Sequence, residues 1–193
     1  TDESKFGDSS LYFDGTGDCL SIPVTDDFNF GGGNWTIECW VYHDRDAPDW
    51  DTIFTISKSG NHSSGNYSID IGLANSGLLL AHVVSSDATT VIGEVIQKNV
   101  WTHVALVRFG DSINLYVNGI AQTGMSFSGD VLHDSSMEIS IGNRYQGSGS
   151  NPWSGYLDDI RISKHAVYTG NFTPPAQLHE SCCPEFNPPL SIT

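Results

Sequence analysis

The chain has 193 residues, 38% of them apolar, with five Trp, seven Tyr and nine Phe, which is enough to fill the core of one domain and argues against disorder. Eight Lys and Arg against 23 Asp and Glu leave a formal net charge of −15. That balance counts against nucleic acid, whose phosphates need a basic face, and equally against an anionic membrane surface; no apolar run approaches the roughly 18 residues of a membrane span.

Residues 1–9 (TDESKFGDS) are polar and read as a loose lead-in. Short β-type runs follow, separated by turn residues about every ten positions, which is the all-β pattern. SLYF leads into the Asp14-Gly-Thr-Gly-Asp18 turn, and CLSI follows with alternation. WTIECWVYH (Trp35 to His43) is aromatic and β-branched, and the breaker GGGN precedes it. DTIFTIS, NYSIDIGL, LLLAHVV and TTVIGEVI continue the series. WTHVALVRF then runs to a Gly110-Asp111 turn, and SINLYV runs to Asn118-Gly119 before IAQTG. Asn-Gly between alternating apolar residues predicts a hairpin, because both central residues of a type I′ turn need positive φ. MEISIG and GYLDDIRIS are two further strands, and SKHAVY is a short helical candidate. About a dozen strands with no long helix imply two stacked antiparallel sheets.

Two segments between strands stand out. Residues 44–51 (DRDAPDWD) read as an acidic loop with an exposed Trp50, and residues 143–153 (NRYQGSGSNPW) read as a Gly/Ser-rich loop. The stretch after Phe172 is Pro-rich and without periodicity, so residues 176–193 are expected to form an extension that hooks a neighbour or acts as a linker. Cys19, Cys39, Cys182 and Cys183 show no CxxC spacing, which argues against zinc and leaves any disulfide pairing open. The chain opens on Thr rather than Met, which is read as a sign of processing or excision from something longer.

Asp14-Gly-Thr-Gly-Asp18 has two readings from its residues alone. The glycines make a tight turn that Asp14 caps, or the carboxylates contribute to a calcium site. Asp158 shares parity with Tyr156, Ile160 and Ile162, which points it at a buried face where a carboxylate needs hydrogen bonds or a cation.

SLYFDGTGDCLSIP, NWTIECWVYH, WTHVALVR, LYVNG and GYLDDIRIS followed by YTGNFTPP together resemble a laminin-G-like domain of the concanavalin A-like lectin/glucanase superfamily, of the kind found in bacterial surface and marine phage tail or virion proteins. The resemblance covers Ser10 to about Pro175, and it implies an all-β jelly-roll sandwich of two antiparallel sheets over residues 10–175. It also implies that the first and last strands adjoin, so that Asp14, Asp18, Asp158 and Asp159 would converge on a structural calcium. Its further implication is a module that binds a glycan or cell-surface polysaccharide, extracellular or on a virion surface, next to other subunits of a larger assembly. A structural role in that assembly, as a decoration, tail or filament subunit, is the competing expectation.

Related glucanases carry alternating acids such as ExDxE on one strand, to place two carboxylates across a glycosidic bond. No such string occurs: Glu38 stands alone, and Asp158 and Asp159 are adjacent. GxSxG, HExxH and P-loop strings are also missing, so no enzyme is expected. His103 reads as a hydrogen-bonded strand residue and Cys39 as a buried thiol. Glycan binding by such folds uses aromatics that stack on sugar faces beside polar groups. The candidates are Trp50, Tyr67, Arg144, Tyr145 and Trp153, with Asn61, His62 and Asn66 in a polar loop.

Overall fold

The computed structural model describes residues 3–46, 50–58, 67–85, 88–144 and 151–178. Thirteen strands occur among them. The first six are β1 (Leu11–Asp14), β2 (Leu20–Pro23), β3 (Trp35–His43), β4 (Trp50–Lys58), β5 (Tyr67–Ala74) and β6 (Leu78–Val84). They are followed by β7 (Ala88–Val95), β8 (Thr102–Phe109), β9 (Ser112–Val117), β10 (Ile120–Ala121), β11 (Met125–Ser126), β12 (Met137–Ile141) and β13 (Ser154–Ser163). One sheet runs β1-β13-β3-β8-β9-β10, with β11 also on β9, and the other runs β2-β12-β4-β5-β6-β7. All pairings are antiparallel, and the two sheets stack as the expected jelly-roll sandwich.

Alternation explains the stacking. In β3, Trp35, Ile37, Cys39 and Val41 enter the core between the sheets, while Thr36, Glu38, Trp40 and Tyr42 take the other face. In β5 the core residues are Ile69, Ile71 and Leu73; in β6 they are Leu79, Ala81 and Val83. Asn118 and Gly119 adopt φ of 47° and 78°, the positive pair a type I′ hairpin requires. The first and last strands adjoin as expected, with Leu11 opposite Leu157 and Asp14 opposite Ser154.

Three local features differ from the sequence reading. A bulge between Asp158 and Arg161 contains Asp159 at φ 50°. It shifts parity, so Ile160 and Ile162 pack against the core with Leu157, while Asp158 lies beside Trp40 on the outer face. SKHAVY forms no helix. Residues 164–174 instead run as a strap over the outer face of the first sheet, where Ala166, Tyr168 and Phe172 cover Ala105, Val107 and Tyr116. The lead-in is also held: the backbone N–H groups of Lys5 and Phe6 both donate to Asp158 Oδ2, at 2.9 and 3.1 Å, and Phe6 meets the Trp40 ring edge-on.

Candidate functional site

The second sheet turns a polar row away from the core. Register places Ser21 opposite Ser140, Ser140 opposite Thr55, Thr55 opposite Asp70, Asp70 opposite His82 and His82 opposite Thr90. The row crosses all six strands. Period-2 alternation creates its middle: Ser140, Thr55, Asp70 and His82 each sit between two core-facing neighbours on their own strands. Thr55, Asp70 and Ser140 are fully buried. The Ser140 hydroxyl and the Asn143 amide nitrogen, both buried, have no geometric hydrogen-bond partner among the described residues.

Aromatic and charged groups gather over the middle of this row. Trp50 heads β4 and lies across Gly72 of β5, where a Cβ would come 2.7 Å from the indole. The indole also meets His82, stacked at 5.3 Å and 28°, and its N–H donates to Thr52 Oγ1 at 3.1 Å. Arg144 follows β12. Its guanidinium carbon lies 5.0 Å from the Trp50 ring, and its Nε and Nη2 donate to Asp70 Oδ2 at 3.2 and 2.9 Å. Ser57 donates to the Arg144 carbonyl, which fixes the backbone beneath that side chain. Tyr67 opens β5 half-buried, edge-on to His82. Burial pushes the Tyr67 phenol above its ordinary pKa, and the Asp70 charge adds to the rise. His82 Nδ1 lies 2.9 Å from Thr90 Oγ1.

The structure therefore joins three of the predicted residues, Trp50, Tyr67 and Arg144, in one cluster. Trp50 is not in an exposed loop: it is a strand residue with 8% exposure, held by Gly72 and His82. Trp153 is fully buried in the core between the sheets, 5.0 Å from the His43 ring, and cannot meet a ligand. Its segment folds inward because Trp153 N–H donates to the Gly142 carbonyl. Tyr145, Asn61, His62 and Asn66 lie outside the described residues. Sequence reasoning missed Asp70, His82 and Thr90. The signal was the alternation in NYSIDIGL, LLLAHVV and TTVIGEVI, which sets these polar residues on the face away from the core.

The four carboxylates named for calcium fall into two separate places. Asp14 and Asp158 sit at opposite ends of the β1–β13 pairing, and among the described residues no group of three or more His, Cys, Asp or Glu side chains stands together as a metal cluster. Asp14 Oδ1 accepts from the Thr16 backbone at 2.7 Å and its hydroxyl at 2.6 Å, and those bonds lower the Asp14 pKa. Asp18 Oδ2 accepts from Asp14 N at 3.2 Å, closing a capped turn. At the far end Asp158 takes Lys5 N and Phe6 N on one oxygen and Asp159 N, at 2.8 Å, on the other. Backbone N–H groups thus supply the hydrogen bonds that the sequence reading named, beside a cation, as a way to hold this carboxylate.

Two further acids are buried with partners. Asp51 meets His43 Nε2 at 2.8 Å and Arg45 Nη2 at 2.6 Å. Glu38 accepts from His103 Nε2 at 3.1 Å, from the Tyr168 hydroxyl at 2.7 Å and from Arg161 Nε at 2.7 Å. His103 is the hydrogen-bonded strand residue expected. Cys39 is a buried free thiol, and burial pushes its pKa far up.

A family model described as the concanavalin A-like lectin/glucanases superfamily matches residues 14–169. No curated protein sequence matches the chain. Among solved structures, the CBM40 of the Ruminococcus gnavus IT-sialidase, bound to alpha2,3 sialyllactose, is similar with a TM-score of 0.66 at 11% identity, over 83% of this chain and 91% of that one. The NanB sialidase from Streptococcus pneumoniae gives 0.62 at 15% identity, over 86% of this chain but 27% of that one. Domain 4 of AbnA, a GH43 extracellular arabinanase from Geobacillus stearothermophilus in complex with arabinotriose, gives 0.52 at 19% identity, over 72% and 63%. At these identities the likeness is one of fold.

Proposed function

Because the chain belongs to the concanavalin A-like lectin/glucanases superfamily, we propose that it is a non-catalytic carbohydrate-binding module of a larger extracellular or virion-surface assembly. One observation carries this reading: Trp50, Tyr67, His82 and Arg144 converge over a row of hydroxyls on one sheet face. Sugars present apolar ring faces and hydroxyl edges, and such a face supplies partners for both. Glycoside hydrolysis needs two carboxylates free to flank the scissile bond, and the described acids that β5 and β12 set on this face are engaged. On this face Asp70 is buried and tied to Arg144, and Glu138 accepts from the Ser21 hydroxyl at 3.0 Å. Similarity of fold to modules solved with sialyllactose and arabinotriose supports glycan binding.

The test is a glycan array on the purified chain, repeated with Tyr67→Ala. Tyr67 sits at the edge of the cluster, so the variant keeps its melting midpoint while affinity for the bound glycan falls about tenfold, equivalent to about 1.4 kcal/mol. Absence of binding across the array overturns the reading.

A structural role has one observation in its favour. The edge strands β1 and β2 expose Tyr12, Leu20 and Ile22, which suits a neighbouring subunit. Sedimentation of the purified chain tests it, with self-association removed by Tyr12→Lys as the supporting result and a monomer at all concentrations as the opposing one.

A further inference from the structure

Resting on the glycan-binding reading, we infer that the sugar recognised at the Trp50–Arg144 face is uncharged. Proteins hold a sialic acid or uronate carboxylate through a cation with donors to offer, above all the two-pronged edge of an arginine. This chain has eight Lys and Arg, all within the described residues, and each is already engaged. Five are paired with carboxylates: Arg45 with Asp51, Lys58 with Asp134, Lys98 with Asp46, Arg144 with Asp70 and Arg161 with Glu38. Arg108 is buried and donates to the Gly110 and Gly31 carbonyls. Lys5 lies 3.8 Å over the Trp40 ring, and Lys164 reaches the Asp26 carbonyl.

At the site itself the cation is Arg144. Its Nε and Nη2, the edge that grips a carboxylate, face the fully buried Asp70. Breaking that pair to admit a ligand carboxylate would take the Arg144 charge away from a fully buried carboxylate, an unfavourable exchange. The pair is neutral as a unit, and the accessible part of the row offers hydroxyls and an imidazole from Ser21, Thr90 and His82, Thr55 and Ser140 being fully buried. Residues 59–66, between β4 and β5 in the chain, and 145–150, after Arg144, contain no Lys or Arg in their sequence. Beyond the site, a net charge of −15 repels an anionic ligand at long range.

The experiment is titration of the purified chain with lactose, mannotetraose and arabinotriose as neutral probes, and with 3′-sialyllactose and trigalacturonate as acidic ones, at about 20 mM and about 500 mM NaCl. The expected result is binding confined to neutral probes, with an affinity that changes less than about twofold between the two salts, since no ion pair forms across the interface. Binding of an acidic probe that weakens about tenfold or more in high salt overturns the inference and leaves the glycan-binding reading standing. Failure of every probe, together with an empty array, overturns the reading and the inference with it. Asp70→Asn gives a second arm that does not depend on the wild-type ligand. Freed of its partner, Arg144 should raise the affinity for 3′-sialyllactose at least about tenfold in low salt; no gain in a folded variant, verified by its melting curve, counts against Asp70 as the group that excludes acidic sugars.

Discussion

Tyr168 donates its hydroxyl to Glu38 at 2.7 Å, joining the strap to the middle of the first sheet across 130 residues of sequence. Arg161 and His103 complete the shell around that carboxylate. Burial alone would raise the Glu38 pKa, but the bonds from His103, Tyr168 and Arg161 and the Arg161 charge outweigh it and hold the carboxyl below its ordinary value. Replacing Tyr168 by Phe leaves Glu38 two of its three partners and keeps the ring that stacks on Phe172. The expected loss is about 1 kcal/mol, read from urea unfolding. An unchanged midpoint would mean that water replaces the hydroxyl without cost.

Stability falls on both sides of neutrality, for different groups. Burial raises the Tyr168 pKa and the Glu38 charge raises it further; burial likewise raises Tyr67, Tyr116 and Cys39. An acid whose folded pKa lies above its unfolded value contributes stability that is complete below the unfolded pKa and is lost as pH rises past it. The melting midpoint should therefore decline from about pH 8.5 upward, where free Cys and then Tyr begin to ionise in the unfolded chain. Glu38, depressed, works the other way: its contribution is present above about pH 4.3 and disappears as pH falls. A midpoint flat from pH 8 to 11 would contradict the assignment.

Gly119 tests the strap from the opposite side. It sits at φ 78°, its carbonyl accepts from Phe172 N at 2.9 Å, and a Cβ there would fall 1.9 Å from the Phe172 carbonyl oxygen. Gly119→Ala should cost about 1–3 kcal/mol in backbone strain and displace the strap. Limited proteolysis would show it, with cleavage between residues 164 and 178 in the variant well before the wild type is cut there.

Trp153→Ala separates a core residue from a ligand contact. With Trp153 fully buried, the expected loss is about 3–5 kcal/mol of stability. Any binding defect should follow the unfolded fraction and vanish where the variant is folded. A stable Trp153→Ala that has lost glycan binding would return the residue to the site.

Asp158→Asn tests how the far carboxylate is held. The amide can accept from Lys5 and Phe6 but loses the charge assistance of a carboxylate, for an expected cost of about 1–2 kcal/mol. Because those partners are backbone N–H groups, the loss should be the same in millimolar calcium and in EDTA. A wild-type midpoint that drops in EDTA would support the calcium reading, and Asp14→Asn and Asp158→Asn, each compared in the two buffers, would say which end holds the ion.

Much of the sandwich was legible because its strands bury alternate residues and punctuate with Gly, Asn and Asp, as at Asn118-Gly119. The neighbourhood of β1 and β13 was not legible from alternation at all and came from the family resemblance. Parity failed at Asp158, where a single bulge residue re-aims everything after it, and no local pattern announces such a bulge. Trp50 and Trp153 were both taken for loop aromatics because their flanks are rich in Asp, Pro, Gly and Ser. The structure sets one on the outer face of the second sheet, across Gly72, and the other in the core, with its backbone N–H on the Gly142 carbonyl. Asp70 and His82 were passed over because a polar position in an alternating strand looks solvated until the neighbouring strands are known.

The pairing of β1 with β13 also decides how the domain responds to force. The chain enters β1 at Leu11, opposite Leu157, and leaves β13 at Ser163, so both depart from the same end of the β1–β13 pair. Tension between flanking segments meets the β1–β13 hydrogen bonds one rung at a time, as a zip opens, rather than all together. Two latches stand ahead of that zip: Lys5 and Phe6 on Asp158, and the strap on Gly119 and Glu38. A tethered module built this way yields first at its latches, lengthens by the few residues they hold, and keeps the sheet that carries Trp50 and Arg144 out of the line of load.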